Sequence, residues 1–337
     1  MTTELNLVSL LPLMPVFIVS MTSILVMLLI SIKRHHTLSA TVTVFGLNAA
    51  LAWIIFYFMN GTPASVMGLF MIDGFALFYM ALILVAGLAC CTLSHAYIHD
   101  YQDNKEELYI LLLIAIAGGM LLVTAQNMSS FFIGLELLSV PTYGLLAYTH
   151  ERNKSLEAGI KYMVLSATAS ASILMGMAFL YAYSGTLDFH KLGEVLITTL
   201  HEPLAVAGVG LILVGLAFKL SLAPFHRWTP DVYQGAPAPI ATFLATVSKV
   251  AVLGLTIRLL FSSGVLAMEG VRVILTIIAV LSVIIGNLLA VRQSNLKRLL
   301  GYSSIAHLGY ILIALVAAGM SSLPTINIYI VAYVLTT

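Results

Sequence analysis

The sequence predicts an all-α, polytopic membrane protein, and three observations carry that prediction. Of its 337 residues 61% are hydrophobic and only 9% charged, where a soluble domain carries about 25% charged residues. Mean hydropathy is +1.05. Apolar runs of about 18 or more residues, the length that crosses a bilayer, follow one another down the chain.

Taken in order, the runs cover roughly 8–32, 37–59, 74–98, 107–125, 127–149, 156–184, 203–223, 238–262, 270–292 and 297–319, with an eleventh starting near 324. The first is too long for the apolar core of a cleaved signal, and further spans follow it at once. The eleventh reaches only Thr337, too short to cross a bilayer, so the chain reads as truncated. Asp73, at the head of the third span, is placed to cap it. Cys90 and Cys91 are adjacent within a span, fit no metal-binding spacing, and read as packing. The stretch 185–202 (GTLDFHKLGEVLITTLHE) is polar and amphipathic, and is expected on the outer surface with Asp188, His190, Lys191, Glu194, His201 and Glu202 in solvent.

Basic residues set the orientation. One set of loops holds Lys33, Arg34, Lys105, Arg152, Lys154, Arg227, Arg292, Lys297 and Arg298, nine in all, against at most three (Lys191, Arg258, Arg272) on the other side. The rich side is read as cytoplasmic, with the N-terminus outside.

Ionisable groups within spans cost about 2.5–3.5 kcal/mol each by insertion scales and default to function. Glu136 lies about 15 Å along the fifth span, near the bilayer midplane, and Pro141 is expected to loosen the helix beyond it. Its alternative is a buried pair that holds two helices together. Lys219 follows Gly208, Gly210 and Gly215, which permit close packing. Pro224 then removes a backbone donor and is expected to open the helix just after the lysine, with His226 at the break and Pro230 beyond it. The competing reading of Lys219 is a snorkelling side chain. Lys249 is again about 15 Å deep, with Thr242 and Thr246 read as one polar stripe on its face. His307 lies in the tenth span one turn beyond Ser303 and Ser304, and reads as a relay or as a hydrogen-bonded core histidine. Glu157 and Lys161 have i,i+4 spacing and read as a local pair or as a proton-uptake relay.

Such a set suits proton movement. Burial lowers a lysine's proton affinity by up to about 3–5 pKa units, and an approaching carboxylate restores it. Driving one charge against about 200 mV costs about 4.6 kcal/mol, which a swing of about 3.4 pKa units supplies at about 1.36 kcal/mol per unit. Histidine can relay between such lysines. CxxC, HExxH, GxGxxG and Walker patterns are absent from the sequence, and no cofactor, metal or nucleic acid is expected on the chain.

Four stretches carry a family resemblance: Phe131–Pro141 with Glu136, Gly215–Pro224 with Lys219, Phe225–Pro239 (FHRWTPDVYQGAPAP), and Leu299–Tyr310 with His307. They resemble the antiporter-like membrane subunits of respiratory complex I, which are similar to Mrp-type cation/proton antiporter subunits. The likeness runs the length of the chain. It implies about fourteen helices in two inverted five-helix repeats, each with a broken helix. Residues 1–106 would then be three leading helices, 107–264 the first repeat with its break near 220–236, and 265–337 the start of the second. The resemblance implies that Glu136 tunes Lys219, that Lys249 and His307 carry the proton onward, and that a further lysine feeding the exit lies beyond Thr337. On that reading a 1–337 fragment alone should not pump. It places the chain in a bacterial inner membrane, N-terminus periplasmic, beside sister antiporter-like subunits and lipid, with NADH, FMN, iron–sulphur clusters and quinone on other subunits. A Na⁺/H⁺ antiporter subunit of the Mrp type and a purely structural scaffold are the alternatives.

Overall fold

The computed structural model describes residues 7–99, 101, 103–198 and 202–337. Contacts divide the chain into two compact units, Met1–Tyr148 with Pro237–Leu255, and Thr149–Ala236 with Thr256–Thr337.

In the first unit a 3₁₀ turn leads into α1 (Met14–Ile32), followed by α2 (His36–Asn60), α3 (Gly74–Tyr97), α4 (Glu107–Thr124) and α5 (Met128–Leu146). Pro15 sits in the first turn of α1, where its missing N–H costs nothing. Asp73 caps α3 as expected, accepting from Ala76 N at 2.8 Å, and Asn127 caps α5 through Ser129 N at 2.8 Å. α1 packs against α2 and α4, α2 against α3, and α4 against α5. The unit is completed by α10 (Ala238–Phe243), a π-helical turn at Leu244–Ser248 and the start of α11 (Lys249–Ser262). α10 and the π-turn lie against α3.

The sequence reading missed a short antiparallel hairpin, β1 (Ala64–Val66) with β2 (Phe70–Ile72), between α2 and α3. Its turn uses Met67 (φ 57°) and Gly68 (φ 67°) in the left-handed region. Met–Gly is not one of the Asn–Gly or Asp–Gly signals that announce such turns.

The second unit contains α6 (Asn153–Ser184), α7 (Phe189–Thr198), α8 (Pro203–Lys219), α9 (Trp228–Gly235), α12 (Glu269–Val291), α13 (Leu296–Ala318) and α14 (Leu323–Thr336). α8 and α9 both pack on α6, α9 also meets α13, and α12 lies along α13. The polar stretch 185–202 is not simply a solvated surface. It forms α7, whose Phe189, Leu192 and Leu196 are buried. Asp188 accepts from His190 N and Lys191 N, each at 3.0 Å, so it caps that helix. His190 and Glu194 pair at 3.4 Å on the exposed side. His201 lies outside the described residues.

Among the described residues nine helical segments are long and apolar enough to cross a membrane, against ten full spans expected. α8 stops at 17 residues, and α13 and α14 join through a 3₁₀ turn at Gly319–Ser322 into one 41-residue stretch. Phe45, Phe58, Ile277 and Leu288 stand exposed on α2 and α12, as lipid-facing side chains do.

Candidate functional site

The break in the second unit falls where the prolines place it. α8 ends at Lys219. Ser221 takes a left-handed φ of 60°, and the Ala223–Pro224 peptide is cis. Pro230 does not break a helix. It lies in the first turn of α9, where an absent N–H leaves nothing unpaired.

Backbone opened at membrane depth must find new partners, and here it does. Leu222 N donates to Ala217 O at 2.8 Å, and Ala223 N donates to Ser282 Oγ of α12 at 2.8 Å. Trp228 Nε1 donates to Phe218 O at 3.2 Å, and Thr229 Oγ1 donates to Ser221 Oγ at 2.6 Å. The break is therefore a built feature with its polar groups satisfied.

Lys219 sits at the mouth of the break and is 4% exposed. Its Nζ donates to Ser166 Oγ of α6 at 2.7 Å. Close packing of α8 on α6 allows this: a Cβ at Gly215 would fall 2.3 Å from Ile173 Cγ1, and one at Gly208 2.8 Å from Leu180 Cγ. Gly210, expected to share in that contact, has nothing within 4 Å.

His226, just past the break, is 8% exposed, and its Nδ1 is buried without a hydrogen-bond partner among the described residues. Burial pushes this imidazole below its ordinary value, and the neighbouring Arg227 charge adds to the effect.

Glu157 and Lys161 form the expected pair, at 2.6 Å. They line a cavity of about 180 Å³ with Lys154, Asp231 and Gln234. Asp231 joins the pair: its Oδ2 is 3.7 Å from Lys161 Nζ and its Oδ1 is 2.5 Å from Arg298 Nη1. Arg298 also donates to Gln234 Oε1 at 3.1 Å, and Lys297 Nζ donates to Ala236 O at 2.8 Å. One carboxylate on α9 thus links a lysine of α6 to an arginine of α13.

His307 is a hydrogen-bonded histidine inside an aromatic cage. Its Nδ1 lies 2.6 Å from Tyr329 Oη, and the rings of Tyr310, Tyr329 and Tyr333 stand 5.6–6.1 Å from its own. Ser304 Oγ shares a hydrogen bond of 2.7 Å with Tyr333 Oη.

The first unit holds the other two candidates. Glu136 lies midway along α5, and its Oε1 is buried with no hydrogen-bond partner among the described residues. Pro141 does not interrupt the helix, which runs unbroken to Leu146. Lys249 is 0% exposed and begins α11 directly after the π-turn. That turn separates Thr242 from Lys249, so the face relationship expected from α-helical spacing does not hold. Thr246 Oγ1 bonds back to Thr242 O at 2.7 Å. π-turns recur at functional sites, and this one ends directly before Lys249.

A discontinuous helix with a buried lysine at its broken end, in a chain of apolar helices, defines a class: polytopic membrane proteins with a broken helix, the form in which transporters build ion sites. Residues 125–337 match the NADH:quinone oxidoreductase/Mrp antiporter transmembrane family, and the chain belongs to that family. It is 60% identical over 331 residues to NADH-quinone oxidoreductase subunit N of Acinetobacter baumannii, covering 98% of this chain and 66% of that one. To subunit N of Psychrobacter arcticus it is 50% identical over 338 residues, covering 98% and 68%. It superposes on a chain of respiratory complex I from Thermus thermophilus with TM-score 0.80 and 34% identity, covering 95% of this chain and 68% of that one. The chain thus spans about two thirds of the length of each.

Proposed function

We propose that this chain is a proton-translocating membrane subunit of a bacterial NADH–quinone oxidoreductase. It sits in the inner membrane with its N-terminus periplasmic and Arg152, Lys154, Arg227 and Arg298 on the cytoplasmic side. Redox chemistry belongs to other subunits, which hold NADH, FMN, iron–sulphur clusters and quinone, and sister antiporter-like subunits lie beside it. The names of the relatives support this reading over an Mrp-type antiporter.

The observation that carries the mechanism is a wholly buried lysine beside a π-turn, in a chain that also opens a helix at a second buried lysine. In water-poor surroundings an ammonium keeps its proton only while an acceptor or carboxylate holds it. Protons enter through Glu157, Lys161 and Asp231. Lys219 holds a proton against Ser166, and Glu136, with one carboxylate oxygen unpaired, sets how tightly. Lys249 carries the proton on and His307 relays it. The residues 107–264 act as one repeat, and 265–337 begin the inverted second.

The test is Lys249→Met in the full-length protein within its assembled complex, reading the ratio of protons pumped to electrons transferred. The proposal expects pumping and NADH oxidation to fall together. Unchanged pumping in well-assembled complex would overturn it. Na⁺-dependent pumping with no copurifying NADH oxidation would favour the antiporter instead.

A further inference from the structure

A titratable cluster in the first unit includes none of the groups above. His36 opens α2, His95 stands in the last turn of α3, and Tyr109 follows two residues into α4. The two imidazoles stack with centroids 4.3 Å apart and planes 21° from parallel. Tyr109 Oη lies 2.8 Å from His36 Nε2 and 3.4 Å from His95 Nδ1. Tyr109 is 0% exposed, and both histidines are half-buried. Three helix ends therefore place two ring nitrogens on one hydroxyl.

The chemistry of that arrangement is restrictive. A phenol has one proton to donate and lone pairs to accept with. With both rings neutral, it donates to one nitrogen. With one ring protonated, it accepts from that ring and donates to the other. With both protonated, two cations stack face to face, both N–H groups compete for the lone pairs of one phenol oxygen, and its own O–H has no acceptor left in the cluster. Like charges at this separation oppose the second proton strongly.

Groups of both signs face the cluster, the carboxylate of Glu106 as well as Lys105 and His99. Arg34 and His35 come from the turn before α2, Cys91 and His99 from α3 and its end, and Lys105, Glu106 and Glu107 from the start of α4. Tyr148, beyond α5, faces Tyr109 from the same end. Glu107 and Glu106 are engaged by Arg34, at 2.7 Å and 3.8 Å, and Lys105 Nζ donates to His99 O.

We propose that His36, Tyr109 and His95 form a proton-binding site that accepts a single proton shared between two rings, at the Arg34 end of the first unit. The site is independent of the lysine series. It ties the ends of α2, α3 and α4 together through an occupancy of zero or one.

The experiment is carbethoxylation by diethyl pyrocarbonate of the full-length protein in its assembled complex, read residue by residue by mass spectrometry between about pH 5 and 8.5, a range that brackets the ordinary imidazole value. The reagent labels only neutral imidazole. Removing the partner ring with His95→Gln should raise the midpoint of His36 labelling by about one to two pH units, the size expected for two charges at this spacing in a partly solvated site. Tyr109→Phe, which keeps the ring and removes the hydroxyl, should move both midpoints. If His95→Gln leaves the His36 midpoint where it was, the rings titrate independently and the proposal fails. Where that variant does not assemble, the reciprocal His36→Gln read at His95 decides in the same way. Neither outcome depends on pumping, so the site and the proposed function stand or fall separately.

Discussion

Ser166 Oγ accepts a hydrogen bond from Lys219 Nζ at 2.7 Å, and so ties the broken end of α8 to the middle of α6. Ser166 is 0% exposed and Lys219 4%. A hydrogen bond to a charged group is worth about 1.5–3 kcal/mol when its loss leaves the charge buried. Ser166→Ala should therefore weaken proton retention at Lys219. In assembled complex the expected result is a several-fold fall in pumping, smaller than that of Lys219→Ala, with Ser166→Thr restoring most of it. Equal pumping by Ser166→Ala and the parent would mean that the bond is incidental.

Asp231 makes the second testable junction. Its ion pairs with Lys161 and Arg298 are partly exposed, with Asp231 at 42% and Lys161 at 45%. Such pairs are worth about 0–1 kcal/mol each, so Asp231→Asn should leave assembly intact. It should slow proton uptake and flatten the salt dependence of the uptake rate, because the screened charges near the 180 Å³ cavity are then fewer. A loss of assembled complex with normal uptake per complex would assign Asp231 to scaffolding.

The span pattern was legible because hydrophobic length is a local property: nearly every helix lies within a few residues of its apolar run. The break after Lys219 was legible for the same reason, since proline chemistry acts on its own helix. What stayed hidden was long-range or register-dependent. Nothing near Lys219 in the sequence points to Ser166, which is 53 residues away. Nothing near Asp231 of α9 in the sequence points to Arg298, 67 residues further on. The π-turn before Lys249 has no signature in LATVS, so the stripe drawn through Thr242 and Thr246 used the wrong pitch. Two of the three tyrosines around His307, Tyr329 and Tyr333, lie 22 and 26 residues further on, beyond any periodicity argument.

Close packing sets a third expectation. A Cβ at Gly235 would sit 2.3 Å from Lys154 O and 2.7 Å from Ala158 Cβ, so Gly235→Ala must push α9 away from α6. Overpacking of this kind costs about 1–3 kcal/mol, and the displacement would also stretch the Lys161–Asp231 pair. Lower thermal stability of the purified protein is expected. Gly210→Ala is the control, because nothing lies within 4 Å of its Cβ. Ala exceeds Gly in helix propensity by about 1 kcal/mol, so that variant should be neutral or slightly more stable. Equal destabilisation by both would contradict the packing assigned to α9.

His226 sets a pH dependence whose sign follows from its burial. Its imidazole is pushed below the ordinary value by burial and by Arg227, so the folded state binds this proton less readily than the unfolded chain. Above an unfolded value of about 6.5 both states are neutral there and the group adds no pH dependence. As the pH falls below that value the unfolded state takes the proton first, and stability declines. His226→Asn removes the titration. Melting temperature measured from about pH 7.5 down to about 5, across the ordinary imidazole value, should fall less steeply in that variant. A parallel decline in both proteins would place the acid sensitivity elsewhere.

The last expectation concerns the second unit's far helix. His307 Nδ1 and Tyr329 Oη are 2.6 Å apart, and Tyr329 belongs to α14. A phenol that both donates and accepts can pass a proton without moving its ring, whereas phenylalanine keeps the cage and loses only that route. Tyr329→Phe should thus preserve assembly, since the ring contact with His307 at 5.8 Å does not need the oxygen, and lower proton pumping per electron. Tyr333→Phe tests the neighbouring bond to Ser304 at 2.7 Å. If the relay runs through Tyr329, only the first variant lowers the pumping ratio. If both variants lower complex yield alike and leave the ratio unchanged, His307 is a core histidine held in place by aromatic packing, and the proton takes another course.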